Sequence, residues 1–424
     1  MASETDVAVI GAGAAGLAAG ARLRAAGVTF RVLEAASVPG GRAATDTTTL
    51  GVPWDLGCHW LHDARENPFT ALADRLGFRV ARANPLPKRP LLLGTRLADP
   101  QEKEAADAEV DIAFEAVLAA GRAGRDISAR QALREAPGVP GPYAPLARHW
   151  LELMSAAGPD AISARDFALY KDTDDNWPVL DGYGALVRAV AGDLPVTLDC
   201  PVRRIDRTGP RLRLETEQGT LSCRTAIVTA STAVVASGRL AFTPALPQDL
   251  AEAFAALPLG FAEKVAILFS GDVFGVAPRT ALDSIDPDQP ERAGASCLLR
   301  PDGAPAALVH VAGPEAQAIA ADGEGALVDF ALSVLSAAFG TGLRDKVVRT
   351  RVTGWAGMSY IGGAYSCALP GRAHLRARLH GGLDERIFFA GEALGREAFS
   401  TCHGAHRSGI AAAEAALAAL EKAR

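Results

Sequence analysis

Apolar positions along this chain follow two different periods, and the changes between them mark out its elements. Asp6-Val7-Ala8-Val9-Ile10 is a short apolar run rich in β-branched residues, which predicts a strand. The run stops at Gly11-Ala12-Gly13-Ala14-Ala15-Gly16, and an alanine- and leucine-rich pattern with helical spacing then continues to Ala26 and closes at Gly27. Thr29 to Glu34 predicts a second strand, ending in an acid. Residues 77–180 break this rhythm. Gln101 to Arg125 and Leu146 to Ala157 carry helical apolar spacing, separated by Pro/Gly-rich pieces such as residues 136–142, and predict a mostly helical insertion. After Asp181-Gly182-Tyr183-Gly184 and a helix to Gly192, short strands are predicted at Val196–Leu198, Val202–Arg207, Arg211–Thr216 and Thr225–Ala230. Further on, Phe261 to Phe269 alternates as a strand, and Arg386 to Glu392 predicts a strand ending in a glycine and an acid. A long alanine-rich helix follows Thr401.

The opening strand, glycine turn, helix and strand form a dinucleotide-binding fingerprint, and each part has a physical task. Gly11 allows the tight turn, Gly13 lets backbone approach a pyrophosphate, and Gly16 lets the helix pack close to the strand. Ala14 and Ala15 open the helix, whose N-terminus offers unpaired N–H groups and a positive dipole end to phosphates. Glu34, eighteen positions after Gly16, suits a ribose hydroxyl. The fingerprint does not choose between FAD and NAD.

Three later stretches carry chemistry. Gly40-Gly41-Arg42 brings backbone and a forked cation close to the ribose acid; it reads either as a surface turn or as a phosphate or flavin-oxygen contact, and its position favours the cofactor. Trp54 to His62 sets two tryptophans and two histidines around Gly57, but His59 and His62 have no third or fourth ligand at a sensible spacing, so no metal is expected. Lys264 shares a strand face with Ala266 and Leu268. A lysine among apolar neighbours is costly without a partner or a purpose, so it marks either an edge strand reaching solvent or a functional group. Lys171-Asp172-Thr173-Asp174-Asp175-Asn176 reads first as a solvated acidic loop and only second as an attractor for an amine.

At 424 residues, 49% hydrophobic and 22% charged, the chain can bury a large core in two or three domains. A net charge of −6 argues against nucleic acid as a partner. The six cysteines are scattered without metal spacing, which favours free thiols in a reducing compartment. Only Met1 to Thr5 precede the first predicted strand, and Ala411 to Arg424 is amphipathic, so neither a secretion signal nor a membrane anchor is expected. The expected location is cytoplasmic.

Gly11-x-Gly13-x-x-Gly16, Glu34, Gly40-Gly41-Arg42 and Asp55-Leu56-Gly57, in this order, resemble the flavin-containing amine oxidases, a family that includes monoamine oxidases, polyamine oxidases and lysine-specific histone demethylases. The resemblance extends to Phe242-Thr243-Pro244-Ala245-Leu246-Pro247, Gly260-x-x-x-Lys264-Val265, Gly362 to Ser366, the strand ending in Gly391-Glu392, and Thr401-Cys402-His403-Gly404-Ala405. The insertion at 77–180 aligns with nothing in it.

The resemblance implies an α/β fold: a Rossmann-like FAD-binding domain from the discontinuous segments 1–76, 181–240 and 355–424, with an inserted α+β substrate domain from 77–180 and 241–354. It implies that Gly57-Cys58-His59-Trp60 passes along the flavin ring and that Val202 meets the adenine end through its backbone. Lys264 is implied to hold a water against flavin N5 and to assist reoxidation by oxygen. The helix entered through Thr401 and Ala405 is implied to point at the pyrimidine side. Ala364 stands where relatives with covalent flavin carry cysteine, and Cys367 is displaced from that place, so noncovalent FAD is expected. Tyr365 matches the first of two tyrosines that enclose the amine in monoamine oxidases, whereas Thr401 replaces the second, as in the polyamine oxidase and demethylase pattern, with its hydroxyl expected to be open to a polar group. The implied activity removes a hydride equivalent from the carbon next to an amine nitrogen, and oxygen then gives peroxide. Desaturation or isomerisation of a non-amine such as a carotenoid or porphyrinogen is the alternative, followed by a flavin-binding protein without turnover.

Overall fold

A computed structural model describes residues 3–82, 89–138 and 141–422 of the chain. Two large sheets organise it. The first has eight strands, in the order Ala241–Thr243, Val202–Asp206, Leu212–Thr216, Gly219–Val228, Ser3–Ile10, Phe30–Leu33 and Val196–Thr197, with Ile387–Phe389 also pairing Gly219–Val228. Its centre is parallel: Ser3–Ile10 lies between Gly219–Val228 and Phe30–Leu33. A central parallel strand is covered on both faces, which is why the opening run is apolar without alternation. Val7 and Val9 pack with Leu17, Leu23 and the C-terminal helix, while Ala8 and Ile10 pack with Ile205 and Leu214 on the other face.

The second sheet has seven strands, in the order Val347–Val352, Ala262–Phe269, Ala306–Ala312, Ala295–Leu299, Thr280–Ile285, Leu91–Leu93 and Arg96–Leu97. Val265, Ile267 and Phe269 face a core with the helix Glu324–Phe339; Lys264, Ala266 and Leu268 face the other way. Of the two sequence readings of Lys264, the edge strand is excluded, because its strand pairs on both sides. The 77–180 insertion is also less purely helical than its spacing suggests, since Leu91–Leu93 and Arg96–Leu97 complete this sheet. The strand Ala241–Thr243 pairs Val202–Asp206 in the first sheet, so the crossing to the second sheet comes after residue 243.

The inserted helices are Pro100–Arg122, Ala129–Glu135, Ala144–Ser155 and Ala164–Phe167. Pro100–Arg122 starts firmly: Asp99 and Glu102 form a reciprocal capping box, with proline in the first turn. Of the Pro/Gly-rich run 136–142, residues 139 and 140 lie outside the described residues. The C-terminal helix, Cys402–Lys422, packs along Ala14–Ala25, and Gly409 permits this because a Cβ there would sit 2.0 Å from the Ala15 carbonyl oxygen.

Candidate active site

The glycine turn is shaped by contacts that no side chain could share. Gly11 has φ +101°, and its carbonyl oxygen lies 1.9 Å from where a Cβ on Gly16 would stand. Gly16 therefore faces the turn itself, behind the site. Gly13 is different: a Cβ there would meet only the Gly40 carbonyl oxygen, at 3.9 Å, so this position opens outward. The helix beginning at Ala14 has no side-chain cap, leaving first-turn N–H groups for an anion. Glu34 holds the turn from its far side, accepting hydrogen bonds from the N–H groups of Ala12 (2.5 Å) and Ala36 (2.8 Å). Burial raises its carboxyl above the ordinary value.

From this turn a cavity of about 1890 Å³ runs to the face of the second sheet. Small-molecule sites are typically about 300–1,000 Å³, so there is room for a dinucleotide together with a substrate. Gly11, Gly13, Ala14, Ala15, Glu34, Gly41, Arg42, Gly57, Cys58, His59, Trp60, Val202, Gly391, Glu392 and Ala405 line it, as do Lys264, Tyr365 and Thr401. Every expected site residue except Gly16 is thus brought to one continuous space. The fit to a dinucleotide rests on this cradle of close-packed glycines, bare helix N–H groups and a buried acid.

Two buried carboxylates, Asp55 behind the cavity wall and Glu392 on it, tie the surrounding segments together. Asp55, fully enclosed, accepts from Thr45 Oγ1 (2.6 Å) and from the N–H groups of Tyr183 (2.9 Å) and Gly184 (3.1 Å), and faces His59 Nδ1 at 3.3 Å. Burial pushes Asp55 up, but these hydrogen bonds outweigh it and leave its carboxyl below the usual value. Asp55 thereby anchors the start of the helix Tyr183–Ala191 to the strand before Gly57. In the sequence Asp55 stands out only as part of the Asp55-Leu56-Gly57 pattern; the signal for its role is the Gly182-Tyr183-Gly184 helix start, which needs an acceptor. Glu392 is the second. It accepts from Arg42 Nη1 (3.1 Å) and from the N–H (3.2 Å) and Oγ (2.7 Å) of Ser366. Arg42 also donates to the Ala364 carbonyl at 2.5 Å, so part of its fork is spent within the protein.

Lys264 Nζ donates to the carbonyls of Asp55 (2.9 Å) and Gly57 (2.6 Å), using two of three N–H bonds. Burial lowers its pKa from the ordinary lysine value, with Asp55 opposing the shift. Gly57 is fixed by closeness, since a Cβ there would lie 1.8 Å from the Arg42 carbonyl oxygen. Tyr365 donates its hydroxyl to the Leu153 carbonyl and packs beside Ala156, Ala262, Ala312 and Ala364.

Thr401 requires a correction. Its hydroxyl donates to the Ala398 carbonyl (2.6 Å) and accepts from the Gly404 N–H (3.0 Å), so it caps the C-terminal helix instead of standing open to a polar group. The acidic loop also differs from a simply solvated one. Asp172, Asp174 and Asn176 line the cavity, while Asp175 pairs with Arg65 (2.6 Å), Lys171 pairs with Glu66 (2.9 Å), and Asn176 Oδ1 meets His62 Nδ1 (2.5 Å). All six cysteines are free thiols, and Cys58 meets Cys402 on the cavity wall, which with burial raises the Cys58 thiol. Among the described residues, no helix is long and apolar enough to cross a membrane.

Comparison with known proteins gives one consistent result. A profile of the family described as flavin containing amine oxidoreductase matches residues 14–138 and 149–417. This match covers most of the insertion, so the expectation that 77–180 lies outside the resemblance is wrong. Polyamine oxidase 4 of Oryza sativa subsp. japonica is 30% identical over 97% of this chain and 88% of its own length. Polyamine oxidase 2 of Arabidopsis thaliana is 28% identical, over 96% of this chain and 87% of its own. Lysine-specific histone demethylase 1B of Mus musculus is 25% identical over 96% of this chain but only 52% of its own. A solved structure of a putrescine oxidase with redesigned cofactor binding has a TM-score of 0.81, covering 99% of this chain and 100% of that one; at 19% identity this likeness is one of fold.

Proposed function

Because this chain belongs to the flavin-containing amine oxidoreductase family and is an FAD-dependent oxidoreductase, we propose that it takes a hydride equivalent from the carbon next to an amine nitrogen. The imine product is hydrolysed afterwards, and oxygen, as the final acceptor, is reduced to hydrogen peroxide. The observation that carries this reading is the single cavity joining the glycine turn to the sheet face that bears Lys264. The names of the relatives, polyamine oxidases among them, favour an amine over an alkene substrate.

On this reading the first sheet and its helices form the FAD-binding unit, and the second sheet with the inserted helices forms the substrate unit. The turn at residues 11–16 and the N–H groups after it hold the pyrophosphate, Glu34 the adenosine ribose, and Val202 the adenine end. Gly41, Arg42, Gly57 to Trp60, Gly391, Glu392 and Ala405 hold the flavin half. When bound, FAD supplies the two-electron acceptor for the hydride. The chain supplies position and field. Tyr365, oriented through the Leu153 carbonyl, gives the substrate one aromatic wall. The start of the Cys402–Lys422 helix, capped by Thr401, presents a positive dipole end to the cavity. Lys264 adds a fixed cation that two carbonyls hold in place. Ala266, Leu308 and Leu298 add an apolar stripe to the sheet face. The test is whether amines are consumed with equal release of peroxide; turnover of alkenes but not amines contradicts the proposal.

The FAD is proposed to be noncovalent, because Ala364 stands at the attachment position on the cavity wall, and Cys367, which also lines the cavity, has its Sγ against the carbonyls of Ala161 (3.9 Å) and Ala368 (3.7 Å). Acid precipitation of the yellow protein is expected to release FAD into the supernatant. Colour retained in the pellet means a covalent bond, and free FMN in the supernatant contradicts the dinucleotide assignment.

A further inference from the structure

The face of the second sheet that lines the cavity carries one polar row across four strands. Lys264 pairs with His310, His310 with Ser296, and Ser296 with Asp283. Neighbouring strands are about 4.8 Å apart, so this row spans roughly 14 Å of the cavity wall. The row beside it is apolar throughout: Ala266 pairs with Leu308, Leu308 with Leu298, and Leu298 with Ala281. On its other side stand Ala262 and Ala312. All four polar side chains line the cavity.

Three of the four are already engaged. Lys264 donates to the carbonyls of Asp55 and Gly57. Ser296 donates to Asp283 Oδ1 (2.6 Å), and its oxygen meets His149 Nε2 at 3.0 Å. Asp283 also pairs with Arg89 (3.3 Å), whose guanidinium lies 4.6 Å from the centre of the Trp150 ring. Gly294 makes room for this arrangement, since a Cβ there would fall 2.6 Å from His149 Cγ. The His310 imidazole alone among these four side chains has no hydrogen-bond partner among the described residues, and the residue is partly exposed to the cavity.

Burial sets the state of His310, and the cations of Lys264 and Arg89 act in the same sense. Together they hold its imidazole neutral, well below the usual histidine value, while His149 and His59 nearby are themselves kept low by burial. The one carboxylate in the row, Asp283, is matched by Arg89. A neutral imidazole with a free lone pair accepts a hydrogen bond from a hydroxyl, whereas a second ammonium at this point meets Lys264, and the row's own carboxylate, Asp283, is already taken by Arg89.

We propose that His310 is the specificity-determining residue of the sheet face, accepting a hydrogen bond from a neutral, hydroxyl-bearing tail and so favouring a singly charged amine over a diamine of equal length. The inference rests on the amine-oxidising reading above. It is tested on the FAD-loaded protein by anaerobic bleaching of the flavin with aminobutanol and with the diaminobutane of the same chain length. Wild type is expected to favour the amino alcohol by about tenfold at subsaturating amine. His310→Leu is expected to weaken apparent binding of the amino alcohol about tenfold, leaving its limiting bleaching rate and the diamine little changed. His310→Asn, which keeps an acceptor, recovers part of the loss and serves as the reporter should His310→Leu not retain FAD. Preference of the wild type for the diamine overturns the proposal, as does an unchanged preference in His310→Leu and His310→Asn. Bleaching by neither amine removes the amine reading itself, and this inference with it.

Discussion

Gly16→Ala is expected to yield a protein that retains almost no FAD and melts well below wild type. The added methyl would stand 1.9 Å from the Gly11 carbonyl oxygen and 2.9 Å from its carbon, both backbone atoms that cannot move aside without opening the turn. Gly11 cannot readily yield, because its N–H donates to the Leu33 carbonyl (2.8 Å) and its own carbonyl accepts from Thr229 Oγ1 (3.2 Å). Forcing apart a packed backbone contact costs about 3 kcal/mol or more. Gly13→Ala separates stability from binding. Its methyl would touch only the Gly40 carbonyl oxygen, at 3.9 Å, and stands on the cavity wall. The Gly13 variant is therefore expected to keep the melting temperature of the FAD-free protein yet bind FAD at least tenfold more weakly, since a methyl intrudes on the phosphate approach. Thermal melting of FAD-free protein and FAD titration decide this. Equal melting of Gly16→Ala and wild type would mean that the turn is not set by this contact.

Lys264→Met is expected to keep bound FAD but to slow the reaction of the reduced enzyme with oxygen by about 10²-fold, the usual scale for removing a preorganised charge or donor from a dry site. The methionine stem fills similar space, while the Asp55 and Gly57 carbonyls lose the donor that joins them. The pH dependence has a definite sign. Only the ammonium form stabilises developing negative charge, and burial lowers the Lys264 pKa from that of an ordinary lysine. The oxygen step in wild type should therefore fall as pH rises, and fall sooner than an unperturbed lysine would dictate, while Lys264→Met shows no such limb. Stopped-flow mixing of pre-reduced protein with oxygen reads both effects. An equally fast variant makes Lys264 a structural tie between the sheet and the Asp55–Gly57 segment.

What was legible in the sequence was local. The glycine turn could be read because its tightest contact, Gly16 against Gly11, joins positions only five apart. Lys264 stood out as a lone cation on an apolar face, but its place in the middle of a sheet depends on pairing with residues 306–312 and 347–352, which periodicity cannot supply. His310 carries the same signal as Lys264, a polar residue on the face of Ala306 and Leu308, and it was passed over because no motif surrounds it. Thr401 was misread although its local chemistry was plain: a threonine three residues before Gly404, at the head of a helix, is a cap. Asp55 and Glu392 escaped notice as organising acids because their partners, Tyr183 and Gly184 for one and Arg42 and Ser366 for the other, lie far off along the chain.

The central claim is that the cavity brings an amine carbon to FAD for hydride removal. Anaerobic mixing of the yellow protein with a panel of primary and secondary amines, and in parallel with apolar alkenes, tests it most directly. Amines are expected to bleach the visible flavin bands, faster as pH rises and more of the amine is neutral, with the colour returning on admission of oxygen and peroxide appearing in equal amount. Bleaching by the alkenes alone, or by no member of either panel, contradicts the account.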